Sequence, residues 1–268
     1  MLKIIFTDID GTLLNKERET STGLRNAVQR INQKEIPLIL ISSRMPSAMY
    51  HIQEDLKIQN KPLICYNGGL VLADGKCLHS CEIPVSTIEK LAELNTDKTI
   101  HISLYNEDNW YVEEMDYWAK REQNNTKVTP SVKSIEAVIT DWKKEEKGAH
   151  KIMCMGAKEG IDKLVKGLET HFGESLHLYR SKDTYLEIAN KEISKLTGIN
   201  TLLTNQYPTL SLENCIAFGD NYNDIEMLDA VKVGVAVENA KPEVLEVANV
   251  VTASNHADGV AKSLGEYF

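Results

Sequence analysis

MLKIIFTDIDGTLLN, residues 1–15, opens with a short β-branched apolar run and then sets two aspartates, Asp8 and Asp10, one residue apart. The run has the length and composition of a buried strand. Two like charges at a strand end repel, so the pair calls for a counter-charge. The following segment, STGLRNAVQRINQKE (21–35), carries Leu24, Val28 and Ile31 at helical spacing. IPLILISS (36–43) is a second apolar strand. PSAMYHIQEDL (46–56) is a second helix, with Pro46 in its first turn and Met49, Ile52 and Leu56 on one face. PLICYNGG (62–69) is a third strand ending in a glycine pair. Alternation of buried strands and helices is the pattern of a parallel sheet with crossover helices.

The pattern changes after residue 69. GLVLADGKCLHSCEI (69–83) reads as a hairpin turning at Asp74-Gly75. STIEKLAEL (86–94) suggests a helix opened by a capping box from Ser86 to Glu89. From there HISLYNEDNWYVEEM (101–115), AHKIMCMGA (149–157) and SLHLYRSKDTYLEIA (175–189) alternate polar and apolar residues. Such alternation predicts an antiparallel sheet, one face wet and the other covered by helices. All three tryptophans, Trp110, Trp118 and Trp142, fall in this stretch. The parallel pattern then returns: a helix in KEISKLTGINTLLTNQY (191–207), a strand and loop in CIAFGDNYND (215–224), and two short strands, KVGVAV (232–237) and NVVTAS (249–254), flanking KPEVLEVA. The expected fold is α/β: a doubly wound, Rossmann-like parallel sheet built from 1–83 and 187–268, with an α+β domain of 84–186 inserted into it.

A chain of 268 residues suits two domains or one large one. The net charge of −9 disfavours nucleic acid and gives anionic metabolites no general attraction, so a phosphorylated ligand would need a local cation. Five cysteines without paired spacing argue against a disulfide framework, and Cys77 and Cys81 lack the second pair of a zinc site. No apolar stretch reaches the length of a membrane span, and Asp8 and Asp10 interrupt any signal-like run. A cytoplasmic protein that binds neither membrane nor nucleic acid is the expectation, as a monomer or a homodimer.

In open parallel sheets ligands bind at the carboxyl ends of the strands. Asp8 and Asp10 follow the first strand, Ser42 and Ser43 the second, and Asp220, Asn223 and Asp224 the strand IAFG; Lys195 lies near the start of the returning helix. Several carboxylates with oxygen-only neighbours suit Mg²⁺. Such a set permits aspartyl-phosphate chemistry, with a second carboxylate moving the proton. Each residue alone has a bland reading: DxD as a turn, GDNYND as a polar loop, Lys195 as a solvated lysine. The seven scattered histidines show no metal spacing, and the GxxxxGK[ST] phosphate loop is absent.

Taken in order, DIDGT, Ser42-Ser43-Arg44, ISK ending at Lys195, and FGDNYND resemble the haloacid dehalogenase-like phosphatase superfamily, over essentially the whole chain. The long insert is similar to the Cof-type branch, which carries an α/β (C2-type) cap. The resemblance implies Asp8 as the nucleophile that becomes phosphorylated and a Mg²⁺ ligand, and Asp10 as general acid/base with its carbonyl on the metal. It implies Asp220 as a further ligand and Asp224 as a carboxylate holding metal-bound water. Ile9, Ser42, Ser43, Lys195 and Asn223 would bind phosphate; Arg44, Asn67 and Gly68 are candidate substrate contacts. Relatives commonly have Thr-Gly-Arg where this chain has Ser42-Ser43-Arg44, and Ser43 adds bulk near the substrate. The resulting expectation is a Mg²⁺-dependent phosphatase of small phosphomonoesters, with sugar phosphates as the substrate class and the insert closing over the site to choose among them. A sugar phosphomutase and a non-catalytic phosphometabolite sensor remain as alternatives.

Overall fold

The computed structural model describes all 268 residues. In chain order, β1 (Ile4–Thr7), α1 (Thr22–Gln33), β2 (Leu38–Ile41), α2 (Ser47–Leu56) and β3 (Leu63–Cys65) are followed by the hairpin β4 (Leu70–Ala73) and β5 (Lys76–Ser80). The insert comprises α3 (Val85–Leu94), β6 (His101–Asn106), β7 (Asn109–Val112), α4 (Tyr117–Thr126), β8 (Ser131–Val132), α5 (Ile135–Glu145), β9 (Lys151–Met155), α6 (Lys158–Phe172), β10 (Leu176–Lys182) and β11 (Tyr185–Asn190). The chain returns through α7 (Lys195–Gln206), β12 (Cys215–Gly219), α8 (Ile225–Ala230), β13 (Val233–Val237), α9 (Pro242–Val247), β14 (Val250–Thr252) and α10 (Gly259–Tyr267). Two compact units result: Met1–Arg44, Met49–His79 and Ser194–Phe268 form one, and Met45–Ala48 with Ser80–Ile193 the other. No helix is long and apolar enough to cross a membrane.

The first unit is built on an eight-stranded sheet ordered β14-β13-β12-β1-β2-β3-β4-β5. β1 pairs in parallel with both β12 and β2, and the order reverses there. The strand sequences IIFT, LILI and CIAFG are fully buried, as apolar runs covered on both faces must be. On one face Ile4, Phe6, Ile39 and Ala217 pack against Ile199 and Leu202 of α7 and Met227 of α8. Each such buried aliphatic side chain contributes about 1.5–3 kcal/mol. The expected hairpin turn is present: Asp74 and Gly75 both have positive φ, 51° and 71°, as a type I′ turn requires.

The second unit has a six-stranded sheet ordered β10-β11-β9-β6-β7-β8. Ile102, Leu104, Ile152, Cys154, Leu186 and Ile188 bury one face against α3, α5 and α6. Three details depart from the sequence reading. The sheet is not wholly antiparallel, because β7 and β8 pair in parallel; parallel neighbours need a crossover, and α4 supplies it. The helices are not confined to one face. Trp118 of α4 packs edge-on against Tyr185 at 5.3 Å, and Tyr185 is out of phase with Leu186 and Ile188. The Ser86–Glu89 capping box does not form, since α3 begins at Val85 behind Pro84, whose side chain offers no cap. Ser86 thus lies inside the first turn, and Glu89 instead pairs with Lys143 at 2.5 Å.

Candidate active site

The carboxyl ends of β1, β2 and β12 meet at the point where the strand order reverses, the position that open α/β sheets use for ligands. Asp8 is the first residue beyond β1; its amide donates to the Phe218 carbonyl at 3.0 Å, so its backbone is tied to β12. The Ile9 carbonyl then accepts the Leu13 and Leu14 amides at 3.1 and 3.0 Å, folding 9–14 into a tight turn. Gly11 makes that turn at φ +88°, and a methyl group there would stand 2.5 Å from Asp220 Oδ2. Beyond β12, Asp224 is fully buried, and its Oδ2 accepts the amides of Asp220 and Asn221, each at 2.9 Å. Gly219 leaves the room for this: a Cβ there would meet Asp224 Cγ at 2.5 Å.

Lys195 is the first residue of α7, which Ser194 caps. Its side chain is fully buried, and Nζ donates to Asp8 Oδ1 and to Asp224 Oδ1, both at 2.5 Å. Burial alone would depress the ammonium's pKa, but the attraction of Asp224 and Asp8 outweighs it and holds the group firmly charged. For Asp8 burial dominates: it pushes the carboxyl well above its usual range, Lys195 opposes this, and Asp224 and Asp220 add to it. Asp220 is pushed up to about 6 by burial, against the hydroxyl of Thr12, which donates to its Oδ1 at 2.7 Å, and with further repulsion from Asp224. Three carboxylates thus cluster together, two of them bonded to one ammonium.

Asp10 points elsewhere, with its side chain 44% exposed. Arg44 grips it through Nε to Oδ2 and Nη2 to Oδ1, both at 2.7 Å. Burial would raise the Asp10 pKa, and the Arg44 hydrogen bonds and charge more than reverse that, leaving it below the usual range. Ser42 is buried at the end of β2, and its hydroxyl accepts the Arg44 amide at 3.2 Å. Ser43 next to it is partly exposed, and the Ile9 side chain is buried. Asn223 donates to Asn67 Oδ1 at 3.0 Å, while the Asn67 amide donates to the Ser42 carbonyl at 2.8 Å. Tyr66, Asn67 and Gly68 all have positive φ, so the chain bends sharply back beside Ser42. The structure therefore gathers Asp8, Lys195, Asp220 and Asp224 into one cluster and links Ser42, Asn67 and Asn223 beside it.

Some contributors carry no role in the sequence reading. Thr12 lies within the DIDGT segment and orients Asp220. Asn239 donates to the Gly11 carbonyl at 2.8 Å and accepts the Asn255 amide at 2.9 Å; Asn255 in turn donates to the Leu14 carbonyl at 2.7 Å. Two late asparagines thus secure the loop that carries Asp8 and Asp10. Pairings more than two hundred residues apart leave no local pattern to find.

The donor set fits a hard divalent cation. Oxygens of Asp8, Asp220 and Asp224 lie within 4.8 Å of one another, and their mutual repulsion adds to the burial that raises the pKa of Asp8 and Asp220. Asp224 has both oxygens engaged, Oδ1 by Lys195 and Oδ2 by two amides, which leaves Asp8 and Asp220 the less committed pair. Asp220→Asn keeps an oxygen for the Thr12 hydroxyl and removes one charge from the crowd. At pH 7 without added metal, the variant is expected to be more stable than the wild type by about 1–2 kcal/mol. Mg²⁺ is expected to stabilise the wild type and not this variant. Thermal melts with Mg²⁺ and with a chelator read both quantities; an Asp220→Asn protein that Mg²⁺ still stabilises fully would remove Asp220 from the metal site.

Known proteins resemble this chain over its whole length. The sequence profile of the haloacid dehalogenase-like hydrolases matches residues 5–264. A Haemophilus influenzae protein provisionally named a phosphatase is 30% identical over 271 residues, covering 100% of this chain and 99% of the relative. The HMP-PP phosphatase of Escherichia coli O81 is 29% identical, covering 91% of this chain and 86% of its own. The crystal structure of a haloacid dehalogenase-like hydrolase from Bacteroides thetaiotaomicron superposes with a TM-score of 0.91 at 25% identity, over 100% of both chains. With the profile spanning nearly every residue and the fold superposing end to end, this chain belongs to the haloacid dehalogenase-like hydrolases, as an enzyme of their Cof-type phosphatase branch.

Proposed function

We propose that the protein is a Mg²⁺-dependent phosphatase of small phosphomonoesters, sugar phosphates first among them, acting through a phosphorylated Asp8. The observation that carries this reading is the buried Asp8–Lys195–Asp224 chain at the reversal point of the sheet. A structural ion pair does not require two carboxylates and a lysine at the ligand-binding edge, and desolvating three charges is costly unless they have a task.

In the proposed reaction an Asp8 oxygen attacks phosphorus and the ester oxygen leaves with a proton from Asp10, which must first take that proton up from solvent against the pull of Arg44. Asp10 then takes a proton from the water that attacks phospho-Asp8, releasing phosphate and restoring the carboxylate. Lys195 holds Asp8 in line and meets the charge of the phosphoryl oxygens. Ser42, Ser43, Asn223 and the Ile9 amide orient those oxygens. Bound Mg²⁺, held by Asp8, Asp220 and the Asp10 carbonyl with Asp224 supporting a coordinated water, would neutralise phosphoryl charge. The inserted unit selects the substrate, with Asn67 and Gly68 as further contacts. A cytoplasmic location, with metabolite pools as the substrate source, is consistent with this reading.

The test is phosphate release from a panel of sugar phosphates, nucleotides and cofactor phosphates, with and without Mg²⁺. Metal-dependent release concentrated on sugar phosphates is the expected result. Release from another class would replace the substrate assignment. Turnover of a sugar monophosphate only when a bisphosphorylated sugar is added would identify a mutase, and no turnover of any ester by folded protein would sink the hydrolase reading.

A further inference from the structure

Asp8 is fixed by Lys195, but Asp10 projects from the turn with nearly half its side chain exposed. An acid/base carried on an exposed aspartate would sample several rotamers, and proton transfer tolerates little misalignment. The structure holds it by other means. Nε and Nη2 of Arg44 each donate to a different Asp10 oxygen at 2.7 Å, the parallel two-bond fork that guanidinium and carboxylate geometries share. Two such bonds fix the carboxylate plane as well as its position.

Arg44 is well suited to impose that plane. It is only 7% exposed and sits just beyond β2. Its amide donates to Ser42 Oγ at 3.2 Å and its carbonyl accepts the Tyr66 amide at 3.1 Å, so the backbone is anchored on both sides. An ionised carboxylate offers about four lone-pair positions, and the fork uses two. The remaining two stay available for the proton that passes to the leaving oxygen or arrives from water.

Resting on the reading of Asp10 as acid/base, we propose that Arg44 is a positioning residue: its guanidinium locks the Asp10 carboxylate in the plane needed for proton transfer to the leaving group, rather than binding the substrate. The claim concerns alignment, so charge alone should not satisfy it. Lysine at this position keeps the charge but loses the fork.

The test is the dependence of kcat/KM on leaving-group acidity, because kcat/KM reports the steps up to phosphorylation of Asp8. Wild type, Asp10→Asn, Arg44→Lys, Arg44→Ala and the Asp10→Asn/Arg44→Ala double variant are compared with Mg²⁺ on esters from dinitrophenyl phosphate to alkyl phosphates. A dinitrophenolate leaves without a proton; an alkoxide does not. Arg44→Ala and Arg44→Lys are both expected to lose about 10²–10³-fold on alkyl esters and less than about tenfold on the dinitrophenyl ester. The double variant should be no worse than Asp10→Asn alone, since both changes remove one function. Equal losses across the series in the Arg44 variants, or losses adding to those of Asp10→Asn, would overturn the proposal. So would a rise in KM with kcat unchanged, the mark of a substrate contact. An Arg44→Ala protein that does not fold leaves Arg44→Lys to decide. If Asp10→Asn shows the leaving-group dependence and the Arg44 variants do not, the inference fails alone. If Asp10→Asn does not show it, the acid/base reading falls and this inference with it.

Discussion

Asp8→Asn is expected to lower phosphate release by on the order of 10⁴-fold or more while leaving the fold intact. The amide oxygen can still accept from Lys195, which remains paired with Asp224. The lost charge is one that burial already disfavours, so stability should hold or rise. What disappears is nucleophilicity, which an amide oxygen cannot replace. Phosphate release and thermal unfolding measured on the same preparation separate the two effects. With beryllium fluoride and Mg²⁺, the wild type should carry the phosphate mimic on Asp8 and the variant should carry none. A mimic found on another residue, or an Asp8→Asn enzyme with more than a few per cent of wild-type activity, would dismiss Asp8 as the nucleophile.

The architecture was legible because parallel strands buried on both faces must be continuous apolar runs, and LKIIF, PLILI and CIAFG have no other comfortable place. Their polar followers mark the carboxyl edge, so the sequence alone assigns Asp8, Ser42 and Asp220 to one rim. Lys195 is placed near the same edge by the helix that carries it, but its role comes only through the resemblance, since a lysine near a helix start has no distinguishing pattern of its own. The failures are equally physical. β8 has two residues, both exposed, and two exposed residues carry no periodicity. The Ser86–Glu89 box is a sound local signal, but the helix starts at Val85, two residues before the Thr87 that a Ser86 cap requires, and Ser86 falls off the cap. Arg44 reads in sequence equally as a substrate contact or an ion-pair partner; its bond to Asp10, thirty-four residues away in sequence, is set by the sheet and not by spacing. Asn239 and Asn255 hold the turn that carries Asp8 and Asp10 through backbone carbonyls, a task any well-placed amide can do, and so one without a motif.

Lys195→Met tests the other half of the site, and its effect on stability should be the largest of any single change there. Methionine reproduces the lysine stem out to Cε, so the substitution removes the ammonium and leaves little other volume empty. Asp8 and Asp224, each less than a tenth exposed, then face each other without the ammonium that lies 2.5 Å from both. Removing one partner from a buried ion pair costs about 3–5 kcal/mol, because the charge left behind is desolvated and unpaired. Asp8 can relieve part of this by taking up a proton, which its burial already favours, but a protonated Asp8 is no nucleophile. Activity should therefore fall as severely as in Asp8→Asn, for a different reason. Mg²⁺ should recover part of the lost stability by supplying positive charge to the same carboxylates, so the metal-induced rise in Tm is expected to be larger in the variant than in the wild type. Arginine should not substitute, since a planar guanidinium cannot place one nitrogen 2.5 Å from both oxygens in a space filled by an ammonium. Chemical unfolding of Lys195→Met with Mg²⁺ and with chelator measures the loss and its recovery. A variant as stable as the wild type without metal would mean that Asp8 and Asp224 are not held against repulsion, and that Lys195 serves the bound phosphate alone.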